Sequence, residues 1–291
     1  MSRVAYVNGR YVPHGSAVVH IEDRGFQFAD SVYEVVTVLD GKLIDEDGHL
    51  ARLARSLAEL RMAWPMTPRA LRLVMRELLR RNGVDRGLLY LQVTRGVAPR
   101  EFRFPAAGRS TLVMTTRWSS FARPEQLSGG VSVISVPDIR WLRRDIKTTG
   151  LLAQVLGKQA AVEAGAFEAW LVEADGTVTE GCSSNAWIVT RDGRLVTRPP
   201  SERMLNGVTR LTLIRLASEL GLAFEERAFT LAEAHAAAEA FLSSASTFAL
   251  PITRLDGKPI GEGRPGPLVA RLRAAYLQSA GRAPDALEAL P

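Results

Sequence analysis

Four of the Asx-Gly pairs in this chain constrain it more than any other feature. Asn8-Gly9, Asp40-Gly41, Asp175-Gly176 and Asp192-Gly193 each fall between short runs rich in apolar and β-branched residues. A two-residue hairpin turn needs positive φ at its centre, and Asx followed by Gly tolerates that conformation best. Val4 to Val12, Ser31 to Ile44, Ala169 to Thr179 and Ala186 to Thr197 are therefore expected as hairpins. The chain opens with β-structure and returns to it past the middle.

Between these hairpins the apolar period changes. Leu50, Leu53, Leu57 and Leu60 follow helical spacing from His49 to Met62, and Ala70 to Arg81 does the same until Asn82-Gly83 stops it. Leu88 to Gly96 and Ser110 to Arg117 read as strands, and Trp118 to Gly130 as a loop rich in Ser, Pro and Gly. The second half begins with a strand, Val131 to Val136, and a helix, Leu151 to Ala164. A further helix, Val208 to Leu220, a short one, Leu231 to Glu239, and a strand, Ala240 to Ser243, follow the later hairpins. The 291 residues are thus expected to form two domains: a small α+β domain over 1–118, an interdomain loop over 119–125, and a larger β-rich domain over 126–291. The Ala- and Pro-rich tail after Gly281 is expected to fray.

Composition narrows the function classes. At 46% hydrophobic and 23% charged residues the chain has the makings of a folded core, and no run approaches the roughly 18 apolar residues of a bilayer span. No membrane association is expected. The opening residues lack a signal-peptide core, so the protein is expected to be cytoplasmic. One cysteine and four histidines offer no metal-ligand spacing. Net charge is +6, but the arginines are scattered beside acids instead of gathered in a stripe, which argues against a nucleic-acid partner. The dinucleotide-binding, P-loop, zincin and nucleophile-elbow motifs are absent. Cys182 has no histidine near it in sequence and reads as a small hydrophobe.

Two segments look like anion cradles. Leu205-Asn206-Gly207-Val208-Thr209 places glycine and a hydroxyl where a helix begins, and Ser243-Ser244-Ala245-Ser246-Thr247 adds hydroxyls at a strand end. Free N–H groups and the helix dipole attract a phosphate at such a terminus; alternatively Thr209 simply caps its helix and the serines fill a loop. A third segment, Asp138 to Lys147, sets Lys147 at a strand end among Arg140, Arg143 and Arg144. Neighbouring positive charge and partial burial favour a neutral amine, as a Schiff-base lysine requires, although most lysines are simply solvated.

Taken in order, several segments together resemble the fold type IV pyridoxal-phosphate (PLP) enzymes, and among them the D-amino acid aminotransferases. They are I-E-D-R-G-F-Q-F-A-D-S-V-Y-E-V-V, H-L-A-R-L, Q-V-T-R-G-V-A-P-R, D-I-R-W-L-R-R-D-I-K, V-T-E-G-C-S-S-N and L-N-G-V-T-R. The resemblance spans Ile21 to about Thr253. It implies a homodimeric transaminase that uses pyridoxal 5′-phosphate to move an amine from a D-amino acid to a 2-oxo acid. Lys147 becomes the Schiff-base lysine and proton carrier, Glu180 the partner of the ring nitrogen, Arg140 the neighbour of the ring hydroxyl, and Leu205 the residue against the ring face. Arg52 and Thr209, with the N–H groups of Val208, Thr209, Ala245 and Ser246, resemble the phosphate cup.

Tyr33 and Arg100 resemble two residues that hold the substrate α-carboxylate. The family pattern at the second is Arg-x-His, whereas this chain reads Arg100-Glu101-Phe102, and Ala245 stands where relatives usually carry a hydroxyl. The missing histidine leaves (R)-amines, bulkier D-amino acids and branched-chain L-amino acids open as donors, with aminodeoxychorismate lyase chemistry as a further enzymatic alternative. A non-catalytic phosphate-ligand binding protein would keep the cradles without needing Lys147.

Overall fold

The computed structural model describes residues 3–106, 108–119 and 121–281. The expectation of a fraying tail lies outside the described residues. Two compact units emerge: Met1–Ser120 with Ile146–Leu151, and Phe121–Asp145 with Leu152–Pro291.

The first unit is built on a six-stranded antiparallel sheet in the order β2-β1-β6-β5-β3-β4. Its strands are β1 Val4–Val7, β2 Arg10–Pro13, β3 Ser31–Leu39, β4 Lys42–Leu43, β5 Arg86–Thr94 and β6 Thr111–Trp118. Asn8 and Gly9, and Asp40 and Gly41, all take positive φ (47°, 94°, 50° and 69°), as two-residue hairpins require. A short helix, α1 (Arg24–Phe28), precedes β3, and α2 (Glu46–Glu59) and α3 (Pro68–Asn82) follow β4. Alternation along β3 sends Val32, Glu34, Val36 and Val38 to one face and Tyr33 to the other. Val32, Val36 and Val38 pack with Leu50, Leu53 and Leu57 of α2 and Leu71, Met75 and Leu78 of α3. Ile146 joins the same core, which ties Ile146–Leu151 to this unit.

The second unit holds a nine-stranded mixed sheet. Its strands are β7 Val131–Pro137, β8 Glu168–Val172, β9 Val178–Gly181, β10 Asn185–Val189, β11 Leu195–Thr197, β12 Phe224–Glu226, β13 Glu239–Ser244, β14 Phe248–Leu255 and β15 Lys258–Pro259. The order is β12-β11-β10-β13-β14-β7-β8-β9, with β15 paired to β14. The helices are α4 (Pro124–Gly129), α5 (Leu152–Glu163), α6 (Val208–Glu219), α7 (Leu231–Ala236) and α8 (Pro267–Ser279). The hairpins at Asp175-Gly176 and Asp192-Gly193 form, but through longer loops in which the glycine alone takes positive φ, 81° and 83°. The loop expected from Trp118 to Gly130 carries α4 within it, started by Pro124 in the first turn. Among the described residues, no helix is long and apolar enough to cross a membrane, and no group of three or more His, Cys, Asp or Glu could hold a metal.

Candidate active site

In the first unit the two faces of β3 do different work. Along the edge of the strand, Tyr33 donates its backbone N–H to the carbonyl of Lys147 (3.0 Å), and an isolated bridge pairs Val32 with Thr148. A hydrogen bond between Ser31 and Thr149 continues the stitching. Lys147 is therefore not at a strand end, as its sequence suggested; it precedes this bridge. Its Nζ lies 4.3 Å from the centroid of the Tyr33 ring. Among the described residues no carboxylate pairs with that nitrogen, which leaves it available to bond a carbonyl carbon. Tyr90 packs beside Tyr33, and burial, helped by Tyr33, pushes its phenol up to about 12.

On the opposite face Glu34 is buried. His49 and Arg52, three positions apart on α2, both reach it. Arg52 gives Nε and Nη2 to the two carboxylate oxygens (2.8 and 2.7 Å), and His49 Nδ1 lies 2.7 Å from Oε2. Burial alone would raise the Glu34 carboxyl, but Arg52 and His49 hold it down to about 2. The sequence marked Arg52 for a phosphate; the structure shows its guanidinium oriented by Glu34, a partner that sequence reasoning missed.

Arg100 is exposed on the loop after β5, its Cζ 4.7 Å over the Phe28 ring. The ring that it covers is Phe28, whereas the Tyr33 ring faces Lys147. Phe102 is 81% exposed and packs only its edge of the loop against Phe28, 5.5 Å between centroids.

The second unit gathers Arg140, Glu180 and Leu205. Arg140 is not a free cation: Nε and Nη2 grip Asp138 (2.9 and 2.8 Å), Nη1 donates to Glu180, and Nη2 also reaches Thr179 (3.2 Å). Arg143 pairs with Asp145, and Arg144 with Asp138 and Glu173. The cationic cluster expected around Lys147 is thus neutralised by acids at every arginine. Glu180 lies buried on β9 and accepts from the N–H of Leu205 (3.1 Å) and from Asn185 Nδ2 (3.2 Å). Burial raises its carboxyl, and the charge of Asp138 adds to that rise, against the pull of Arg140 and the Leu205 N–H.

Asn185 is a second residue that sequence reasoning missed. Its Nδ2 also donates to the Leu205 carbonyl (2.9 Å), so one amide ties Glu180 to the segment that leads into α6. Its Oδ1 lies 2.0 Å from where a Cβ on Gly207 would stand, which is the reason for glycine there. Arg210, fully buried in the first turn of α6, braces the same segment through Asn206 Oδ1 (3.1 Å) and the Arg198 carbonyl (2.8 Å).

Thr209 does not cap its helix: Gly207 is the N-cap, and no side chain bonds the first turn. N–H groups at a helix start without a side-chain cap are of the kind that suits an anion. α6 packs against β13, which leads into the turn bearing Ala245 and Ser246. There Ser244 Oγ bonds Ser246 Oγ (3.1 Å) and Thr247 Oγ1 (2.8 Å), while buried Arg273 donates to the carbonyls of Thr247 and Ala249 (2.7 and 2.9 Å). Cys182 is half-buried, and burial beside Glu168 pushes its thiol up to about 12, which removes it as a nucleophile.

These residues fit the cofactor that the resemblance implies. A buried carboxylate with a raised pKa gains a partner when a protonated ring nitrogen binds, and an uncapped helix start suits a phosphate.

The chain was compared with known proteins. The family model described as Amino-transferase class IV matches residues 31–255. A D-alanine aminotransferase of Bacillus licheniformis is 42% identical over 273 residues, covering 94% of this chain and 95% of that protein. A D-alanine aminotransferase of Staphylococcus haemolyticus is 37% identical over 272 residues, with 93% and 95% covered. Among solved structures, the branched-chain aminotransferase of the thermophilic archaeon Thermoproteus uzoniensis, with norvaline, superposes with a TM-score of 0.82 at 26% identity, over 96% of this chain and 95% of that one.

Proposed function

Because the chain belongs to the class IV aminotransferases, we propose that it is a PLP-dependent enzyme that transfers the amine of a D-amino acid to a 2-oxo acid. The observation that carries this reading is Glu180, a buried carboxylate held by Arg140, Asn185 and the Leu205 N–H yet still raised, and so short of a cation. When bound, PLP supplies an aldehyde for the lysine and a ring that takes up the electrons of the broken Cα–H bond.

The remaining roles belong to the chain. Lys147 would hold the cofactor through Nζ and would move the proton between substrate Cα and cofactor C4′. Glu180 pairs with the protonated ring nitrogen, Arg140 neighbours the ring hydroxyl, and Leu205 packs on the ring face. The N–H groups of Val208, Thr209, Ala245 and Ser246, the Thr209 hydroxyl and the Arg52 guanidinium hold the phosphate. Backbone donors and Ser246 serve where Ala245 lacks a hydroxyl. Tyr33 and Arg100 hold the substrate carboxylate, Arg100 through charge-assisted bonds. A pair of such chains forms the proposed homodimer; Leu152, Val155, Leu156 and Val162 leave an apolar stripe of α5 exposed that a second copy would cover.

The test is a single-turnover half-reaction followed by the absorbance of the bound cofactor. D-alanine and D-glutamate should convert it to the amine form, whereas L-leucine, an (R)-arylamine and aminodeoxychorismate should not. Lys147→Ala should abolish conversion. Conversion by L-leucine or the arylamine alone would replace the substrate class, and retention of function by Lys147→Ala would return the chain to a binding role.

A further inference from the structure

Arg100 stands exposed on a loop, and a long arginine side chain is recruited to a carboxylate only if its backbone is held in place. What holds it is beneath the loop. Arg24, the first residue of α1, is 3% exposed, and its side chain runs under the segment that follows Arg100. Nε donates to Asp30 Oδ2 (2.8 Å), Nη1 to the carbonyl of Glu101, and Nη2 to the carbonyl of Phe102 (3.4 Å). Its guanidinium also lies 4.8 Å over the ring of Phe28, the ring on which Arg100 rests. One buried guanidinium thus grips Asp30 and the carbonyls of the two residues after Arg100.

Asp30 is the hub of this arrangement. It also receives Arg95 through Nε and Nη2 (2.7 and 3.0 Å), and Arg95 holds the far side of the loop by lying 3.6 Å over the Phe104 ring. α1 is also anchored apart from the Arg24 side chain, its start tied to the base of the same loop by the Arg24 N–H on the Gly96 carbonyl (2.9 Å) and by a bridge from Asp23 to Val97. Asp23 caps it through the Gly25 N–H (2.8 Å) and accepts from Thr94 Oγ1 (3.0 Å). Burying a guanidinium is costly unless its donors are used, and here the acceptors beyond Asp30 are loop carbonyls. Meanwhile Glu101 turns its carboxylate to Arg103 (3.2 Å) and to the Phe102 N–H (2.8 Å), not to Arg100. Among the described residues, no carboxylate neutralises Arg100.

We propose that Arg24, charge-balanced by Asp30, is a positioning residue for substrate binding: it fixes the loop so that Arg100 meets the substrate carboxylate. The inference rests on the reading of Arg100 as the carboxylate residue.

The test uses the holoenzyme with D-alanine at saturating acceptor. Lysine at position 24 keeps a charge for Asp30 but has one nitrogen, which cannot span a carboxylate and two carbonyls. Arg24→Lys should raise KM about tenfold while kcat stays within about twofold, the signature of lost substrate binding without lost chemistry. Arg100→Ala should raise KM at least as far, and Arg24→Lys added to it should do nothing more, because the brace acts only through Arg100. The cofactor absorbance and the melting temperature should stay near those of the parent. If Arg24→Lys does not fold as holoenzyme, Asp30→Asn, which loosens Arg24 while still accepting from Arg95, is read in the same way. An unchanged KM in Arg24→Lys, or additive effects in the double variant, overturns the inference and leaves the reading of Arg100 intact. An unchanged KM in Arg100→Ala overturns that reading, and the inference with it.

Discussion

Glu34 and Glu180 are both buried and both bonded to an arginine, yet their carboxyl groups shift in opposite directions. Glu34, in the first unit, receives both Arg52 donors and His49, and falls to about 2. Glu180, in the second, receives one nitrogen of an arginine whose other two donors are spent on Asp138, and that second carboxylate repels it. Burial acts on both in the same sense. The count of cationic donors per carboxylate decides the outcome. One glutamate completes a structural pair; the other shares its arginine with a second carboxylate and is left less fully balanced.

The largest expected effect comes from breaking the completed pair. Glu34→Gln strands Arg52 and His49 without their carboxylate and should cost about 3–5 kcal/mol of unfolding free energy by denaturant titration. The pH dependence has a definite sign. A carboxyl lowered in the folded state stabilises above its ordinary range and loses that stabilisation as pH falls towards about 2. Parent stability should therefore drop over that acid range, and the Glu34→Gln curve should be flatter there. Glu180, raised in the folded state, contributes the reverse: stability present at low pH and lost as pH rises through its raised value. Equal acid slopes in parent and Glu34→Gln would falsify the assignment of Glu34.

Glu180→Gln sharpens the other side. The apo protein should melt within a few degrees of the parent, because Arg140 keeps Asp138 as its partner when position 180 loses its charge. kcat should fall on the order of 100-fold, as for removal of one electrostatic partner of a reacting group. A large loss of apo stability with little loss of kcat would make Glu180 a second Glu34.

Gly207→Ala should follow, with an effect of roughly 1–3 kcal/mol on cofactor affinity. Its Cβ would meet Asn185 Oδ1 at 2.0 Å, and relief moves either the Asn185 amide that holds Glu180 or the start of α6. Equilibrium dialysis against the cofactor measures it; unchanged affinity would detach Asn185 from the site.

What could be read in sequence was what depends on near neighbours. Asn8-Gly9 and Asp40-Gly41 announced their turns because positive φ is a local demand. β14 was not foreseen: Pro251 interrupts its pattern, yet it pairs opposite Phe241 inside the sheet, a placement that tertiary packing decides. α1 and α8 were missed as well, the first because five residues carry no period, and α8 because a charged residue, Arg273, sits on its buried face with Val269, Leu272 and Tyr276 and breaks the apolar stripe in sequence. Lys147 was found through the resemblance, since its attachment to β3 depends on Ile146 entering a core whose other members lie far back in the chain. Glu34, Asn185 and Arg24 went unassigned for the same reason. Each works on a residue distant in sequence, and nothing in the residues beside it records that partner.

The smallest expected effect concerns Cys182, in the turn between β9, which carries Glu180, and β10. Its thiol is raised to about 12 from an ordinary 9.0 by burial, to which the charge of Glu168 adds. The thiolate fraction at neutral pH should therefore be about three orders of magnitude below that of an exposed cysteine, with alkylation slowed in proportion. Cys182→Ser should leave kcat within about twofold. Rapid alkylation of the native apo protein would mean that water reaches this turn.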